Sequence, residues 1–248
     1  TYHCFDVNNK QDYDLFESSF LSTLVGSKEI SVKEAIHDLR LNQLSEKSKF
    51  VNQLNKQFQS VLKKTDSIAN HEQRSHNSLV KRRFRIYQVI QACNRNIGSQ
   101  IFDILRGESS SLNNDVWEVI RHYDYLSIDG KYIKFESKLD FINYLLLHPT
   151  KKRTQKALEP LEPAPAALSI PDDACHYDAR ELRTLTVREM ARIQSFPDAF
   201  VFRSKVTTGG QMRRFEVPQY TQVGNAVPPL LGVKLGNSIS DLINRLPN

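Results

Sequence analysis

The chain has 248 residues, with 34 lysines and arginines against 28 aspartates and glutamates, so its net charge is 34 − 28 = +6. Apolar residues make up 40% and charged residues 25%, which is ordinary for a folded soluble chain and excludes a low-complexity one. No apolar run approaches the ~18 residues of a membrane span, no signal-peptide pattern opens the chain, and three cysteines without a CxxC pair exclude a disulfide framework or a Cys-rich zinc site. The expectation is a moderately basic, cytoplasmic protein of one or two domains with no membrane contact. Its first residue is Thr1, which reads as a processed or cut chain.

In chain order, Leu44, Phe50, Val51, Leu54, Phe58, Val61 and Leu62 recur at helical spacing, and a second helix is expected from about Ser78 to Cys93. A short helix starts at Gly98, runs through Ile101 to Leu105 and stops at Gly107. Asn113-Asn114 is placed to cap Asp115 to Tyr123. Tyr125–Ile128 and Lys131–Phe135 flank Asp129-Gly130, a strong short-range hairpin signal. Helices followed by a hairpin would suit a winged-helix unit near residues 78–135, although phosphate would repel Asp115 and Glu118 on its reading helix.

From His148 to Asp173, Pro149, Pro160, Pro163, Pro165 and Pro171 impose an extended course, broken at most by a helical turn near Gln155–Leu158. Thr186-Val-Arg-Glu189 then reads as a capping box opening a helix that Phe196-Pro197 stops. Thr207-Thr-Gly-Gly210 is a turn. In Gln222-Val-Gly-Asn-Ala-Val-Pro-Pro229, Gly224 permits a tight turn, Asn225 can cap, and a proline suits the first turn of the last helix. Leu231, Leu235, Ile239, Leu242 and Leu246 line one face of that helix, and Gly232 and Gly236 would let another element come close.

The charge is unevenly spread. Residues 63–106 carry nine basic groups against three acids, residues 157–182 are net −5, and residues 183–214 return to +5. Basic blocks of this kind gather cations for a polyanion, and a helix face that merely meets solvent is the plain alternative. Lys81, Arg82, Arg83 and Arg85, with Lys151, Lys152, Arg153, Arg213 and Arg214, are the expected phosphate contacts. His71, Glu72 and His76 are badly spaced for a metal, so no metal site is expected. Asp172-Asp173, beside Pro171, reads as a turn former.

Two strings go further than periodicity can. Arg183-Thr-Leu-Thr-Val-Arg-Glu-Met-Ala-Arg-Ile-Gln-Ser-Phe-Pro-Asp198 resembles the ninth motif of the DNA cytosine-5 methyltransferases. Gln222-Val-Gly-Asn-Ala-Val-Pro228 resembles their tenth, in the family's order and near its usual separation. The stretch Ala164–Asp173 followed by His176 is similar to the lead-in to the ninth motif, and Val32–Leu39 more weakly to the opening of the target-recognition region.

The resemblance implies that Arg183, Thr186, Arg188, Glu189 and Arg192 organise the recognition region. It also implies that Asn225, Ala226 and Val227 line an S-adenosylmethionine pocket. The family's nucleophile lies in Pro-Cys, but His3, Ala92 and Ala174 precede the three cysteines here. No Glu is followed by Asn, and no Gly-x-Gly occurs. The eighth motif, Gln-x-Arg-x-Arg, is also missing, since Lys81 stands where Gln is wanted before Arg83 and Arg85.

The expectation is therefore a helix-rich α+β chain without a catalytic residue of its own. Residues 1–148 would form the target-recognition region, 149–175 a Pro-rich traverse, 176–220 the ninth-motif helix with a basic turn segment, and 221–248 the tenth-motif turn with the final helix. That helix would complete a Rossmann-like methyltransferase domain absent from the chain. The expected partners are double-stranded DNA and a polypeptide or N-terminal half bearing the first eight motifs, in a bacterial restriction-modification system. S-adenosylmethionine would bind only with that half. The alternative is a stand-alone DNA-binding or regulatory relic.

Overall fold

The computed structural model describes residues 6, 8–19, 22–24, 28–41, 45–59, 68–93, 95–151, 155–165, 174–207 and 215–245. Lys10–Ser18 (α1) is capped by Asn9, and a single 3-10 turn follows at Ser22–Leu24. Val32–Ile36 (α2) opens on a capping box between Ser31 and Glu34, and Lys49–Gln57 (α3) opens on Ser48. The sequence periodicity had placed that helix from Leu44. Ser48 takes the Val51 amide and fixes the first helical residue at Lys49, five residues later.

The helical core of the chain comes next. Ser78–Ala92 (α4) is capped by Asn77, and Arg95–Arg106 (α5) runs longer than expected before Gly107 ends it at φ +74°. Gly98 lies inside α5 rather than at its start. A Cβ there would stand 3.0 Å from Ile90 Cγ2, so the glycine lets α5 close on α4. Asn114–Ile120 (α6) follows Asn113, whose side chain makes no cap bond. Tyr125–Leu126 (β1) and Tyr132–Ile133 (β2) pair antiparallel around Asp129-Gly130, with Gly130 at φ +83°. The hairpin forms, with strands shorter than the alternating runs. Lys138–Leu146 (α7) was not expected from the sequence. Phe84, Tyr87, Ile101, Leu105, Trp117, Ile120, Tyr125, Phe141 and Leu145 meet in one apolar core.

Lys156–Ala157 (β3) and Ala174–Cys175 (β4) pair in parallel within the proline-rich traverse. The helical turn expected near Gln155–Leu158 is thus a strand, held by the ladder and by the Leu158 amide on the Cys175 carbonyl. The period of two across this ladder divides the molecule. Ala157 and Cys175 face the first core, while Leu158 and Ala174 face a second one.

That second core gathers α2, Val187–Ile193 (α8) and Gln219–Asn225 (α9) around Ile36, Leu185, Met190, Phe196, Tyr220 and Val223. Pro229–Asn244 (α10) closes the described chain, with Pro229 in its first turn. It rests on the Ser22–Leu24 turn, where Thr23 Oγ1 donates to the Lys234 carbonyl at 3.3 Å and Ser238 is buried. No helix among the described residues is long and apolar enough to cross a membrane.

Candidate functional site

Three arginines of one sequence string are buried at the centre of the second core. Arg183 grips both oxygens of Glu189 at 2.7 Å and Glu181 at 2.6 Å. Glu189 also closes the capping box on α8, accepting the Thr186 amide at 2.8 Å while Thr186 Oγ1 takes the Glu189 amide at 3.2 Å. Burial alone would raise the Glu189 carboxyl, but the Arg183 guanidinium holds it below the usual carboxylate range. One carboxylate therefore caps the helix and neutralises a buried cation.

Arg192 binds Asp198 in two-pronged fashion, at 2.7 and 3.0 Å, and Asp38 at 2.6 Å, so α8 is fastened to the end of α2. Burial opposes ionisation of Asp198. Arg192, with Lys47 and Asn55, nevertheless keeps it well below its ordinary value. Among the described residues Arg188 has no carboxylate partner. It donates to the carbonyls of Ala69 and Pro197, at 3.0 Å each, and to that of Phe200. Burial, with the like charge of Arg192 adding to it and Asp198 opposing, brings its pKa down to about 10, so it stays charged at neutral pH.

The hub between these groups is Asn70, held at φ +63°. Its amide nitrogen donates to the Phe202 carbonyl at 2.9 Å and to Gln219 at 3.1 Å, while its oxygen accepts the Phe202 amide. Its own carbonyl takes the Arg188 amide at 2.8 Å. Asn is one of the few residues that adopts the left-handed conformation readily. His71 bridges Thr186 Oγ1 at 2.9 Å and the Leu39 carbonyl at 2.8 Å. Sequence reasoning missed the roles of Asn70, Asp38 and Asp198. The signal available was an Asn before His71 and an acid closing the ninth-motif string.

His176 lies against this cluster, fully buried. Burial brings its pKa down to about 4, against the raising pull of Glu189. Its Nδ1 accepts the Asp178 amide at 3.0 Å, so the ring carries its proton on Nε2, 3.8 Å from Glu189.

At the tenth-motif string, Gly224 and Asn225 complete α9. Gly224 is helical rather than in a tight turn, and Asn225 does not cap α10, whose N-cap is Pro228 without a side-chain bond. Asn225 is exposed, Ala226 is half-buried against the second core, and Val227 is 63% exposed. Along α10, Leu231, Ile239, Leu242 and Ile243 are between 42% and 60% exposed. Gly232 and Gly236 meet nothing within 4 Å, so the close approach they allow is not made by the described residues. Leu246 lies outside those residues.

The basic cluster divides. Arg82 and Arg85, read from the sequence as phosphate contacts, are buried instead, because α4 is covered on more than one side. Arg82 Nε donates to His148 Nε2 at 2.7 Å, and Arg85 pairs with Asp124 and donates to its carbonyl at 2.9 Å. Lys81 and Lys151 are exposed, and Arg83 is half-buried. Lys152, Arg153, Arg213, Arg214 and Asp172-Asp173 lie outside the described residues. Among the described residues no group of three or more His, Cys, Asp or Glu could hold a metal. The Cys93 and Cys175 thiols are both pushed up by burial, and Cys4 lies outside the described residues.

The fold thus defines a class: a helical unit bearing basic side chains, stitched by a buried arginine cluster to a unit whose last described helix is largely exposed. The family described as C-5 cytosine-specific DNA methylase matches residues 4–241, and the chain belongs to it.

Among curated relatives, the Type II methyltransferase M.DdeI of Desulfomicrobium norvegicum is 27% identical over 225 residues, covering 88% of this chain and 45% of that protein. The Type II methyltransferase M.Bpa9945I of Bacillus paralicheniformis is 46% identical over 69 residues, which are 28% of this chain and 13% of that one. DNA (cytosine-5-)-methyltransferase M.ApeKI of Aeropyrum pernix is 38% identical over 69 residues, 28% of this chain and 12% of that one. The chain therefore spans less than half the length of each of these three relatives.

Proposed function

We propose that this chain is the DNA-recognising and active-site-completing part of a DNA cytosine-5 methyltransferase of a restriction-modification system. The observation that carries the reading is the exposed apolar side of the last described helix. The α9–α10 junction presents Asn225 and Val227 beside Leu231, and α10 continues as an apolar face whose two glycines are open to a neighbouring element. A contiguous apolar surface of this kind is the mark of an interface. The sequence contains no Pro-Cys and no Glu-Asn dipeptide, so the part bearing the first eight motifs is the fitting occupant.

On this reading the buried arginine cluster is a rigid joint. It fixes the recognition unit, through α8, to the element that enters the methyltransferase domain. Asn225, Ala226 and Val227 would form one wall of an S-adenosylmethionine site, an exposed amide beside apolar surface. The cofactor, when bound, supplies the methyl group. Of the basic side chains proposed to contact DNA, Lys81, Arg83 and Lys151 are the ones at least partly exposed among the described residues, and a target cytosine in duplex DNA is the substrate. Residues 1–148 act as the recognition region, and residues 149–175 as the traverse linking it to the joint.

The test is reconstitution. The chain alone should transfer no labelled methyl groups to DNA. Addition of the polypeptide that carries the Pro-Cys and Glu-Asn-Val motifs should give transfer. Methylation by the chain alone would overturn the reading. A pair that binds duplex DNA yet methylates none would favour a DNA-binding relic.

A further inference from the structure

Two recesses beside α4 are lined by cations and share a wall. The first, of about 660 Å³, is bounded by Arg74, Arg83, Arg106 and Lys151. The second, of about 410 Å³, is bounded by Arg74, Lys81 and Arg180. Arg74 and His76 border both, so the two recesses adjoin as a trough divided by these side chains, with Lys151 lining one part and Arg180 the other. Among the described residues no carboxylate lines the first, and the second has Glu181, already held by Arg183 at 2.6 Å and by the Leu41 amide at 2.7 Å. Arg106 lies 3.5–3.6 Å from Glu108 and Asp103, loose contacts on an exposed face. Arg83 Nε and Gln73 Nε2, one in each recess wall, are donors with no acceptor among the described residues.

The cations come from five separate segments: the loop before α4, α4 itself, the end of α5, the stretch after α7, and the turn after β4. Folding has therefore converged them. Like charges repel, and a concave surface concentrates their field. Such a gathering, with donors in excess of acceptors, is complementary to a row of anionic oxygens.

We propose that this trough seats consecutive backbone phosphates of one strand of duplex DNA, with Arg74, Arg106 and Arg180 as contacts added to Lys81, Arg83 and Lys151. The inference rests on the reading above for the identity of the polyanion. It replaces Arg82 and Arg85, which face the interior, by three arginines scattered along the sequence. The contact is independent of base sequence, since phosphates position the duplex without reading it.

The experiment is equilibrium binding of the 248-residue chain to a labelled duplex of about 20 base pairs and arbitrary sequence, over a series of salt concentrations. Two double variants remove exposed charges from the two ends, Arg106→Glu with Lys151→Glu, and Lys81→Glu with Arg180→Glu. A control pair, Lys131→Glu with Lys234→Glu, makes the same change of net charge outside the trough. Thermal unfolding confirms that each variant is folded.

Each trough pair should weaken binding at least about tenfold near 100 mM salt and lower the salt slope by about 1.8, while the control changes affinity less than about threefold. Equal losses in trough and control would overturn the proposal, leaving a general charge effect. Unchanged affinity and slope in both trough pairs would also overturn it, as would failure of the parent chain to bind duplex. Inorganic phosphate is the remaining probe. If it raises the melting temperature of the parent but not of the trough variants, while duplex binding is equal in all, the trough takes free anions and not a DNA strand. The two readings fail separately. Methyl transfer by the reconstituted pair, with trough variants that bind DNA normally, removes the trough alone. Loss of duplex binding in the trough variants, with no methyl transfer by any pair, removes the methyltransferase reading alone.

Discussion

Ser195 Oγ accepts the Leu230 amide at 3.1 Å, joining the end of α8 to the first turn of α10. The ninth-motif and tenth-motif strings are 35 residues apart at this bond, yet one hydroxyl satisfies an amide that the first turn leaves without a helical partner. Ser195 reaches it from φ +61°, a conformation that favours glycine. Ser195→Ala keeps the strained backbone and loses the bond, at a cost of about 1 kcal/mol. Ser195→Gly loses the same bond but relieves the backbone, so it should destabilise less. Urea unfolding of the two variants checks the order, and hydrogen exchange at Leu230 should quicken in both.

The Arg192–Asp198 pair should set the low-pH limit of the second core. The folded-state pKa of Asp198 is depressed, so its contribution is complete above its unfolded value and is lost as pH falls below about 4. Asp198→Asn leaves Arg192 with Asp38 alone, and breaking a buried pair in this way costs about 3 kcal/mol at neutral pH. The acid limb of the stability profile should flatten in the same variant. A profile of unchanged shape below pH 4 would show that Asp198 is not the group being titrated.

His176 should act earlier on the acid side. The unfolded chain takes up this proton near pH 6.5, whereas the buried imidazole does so only at about 4. Between those values the unfolded state binds more protons, so stability present above pH 6.5 is lost as pH falls toward 4, by about 3 kcal/mol in all. His37 and His148 are lowered by burial too and contribute in the same sense. The diagnostic is therefore a difference. His176→Asn can still accept the Asp178 amide, and should lose less stability than the parent between pH 7 and 5 in thermal melts.

How much of this was legible in the sequence depends on the range of the interaction. The capping box at Thr186 and Glu189 and the Asp129-Gly130 hairpin are local, set by residues three or four apart, and both form. Arg82 and Arg85 were misread because the sequence shows a charge but not its surroundings. Their partners inside the fold, His148 and Asp124, lie 66 and 39 residues further on. Asn70 was invisible for the same reason, since its partners at Phe202 and Gln219 lie 132 and 149 residues away. Helix α7 went unnoticed because Lys138–Leu146 mixes apolar residues on several sides, with Phe141, Ile142, Tyr144 and Leu145 all buried, so no single stripe announces it.

The exposed apolar side chains of α10 should make the chain self-associate when it is alone. Leu231, Ile239 and Leu242 are each more than 40% exposed on one helix, and water gains by their pairing. Light scattering should show an apparent mass that rises with concentration. Ile239→Glu with Leu242→Glu should restore a monomer without loss of folding, because neither side chain is in a core. In the reconstituted pair the same substitutions should weaken assembly, which ties the face to the first-eight-motif part.

Asn225 gives the sharpest test of the tenth-motif assignment. Its side chain is exposed at the end of α9 and makes no hydrogen bond with the described residues, so replacing it removes no hydrogen bond among them. Asn225→Ala should leave the melting temperature of the chain within experimental scatter. Any deficit in the reconstituted enzyme then belongs to an intermolecular contact and not to misfolding. If the amide meets S-adenosylmethionine, or fixes the junction that does, the loss of one polar contact of about 1 kcal/mol should raise the cofactor dissociation constant roughly fivefold. Duplex affinity should hardly change, since Asn225 lines neither cationic recess. Calorimetry with the cofactor, run beside duplex titrations of the same preparation, separates the outcomes. A raised constant for the cofactor alone supports the assignment. Equal weakening of cofactor and duplex would place Asn225 in the assembly of the two parts. Unchanged binding of both would leave the string as the mechanical link between α9 and α10.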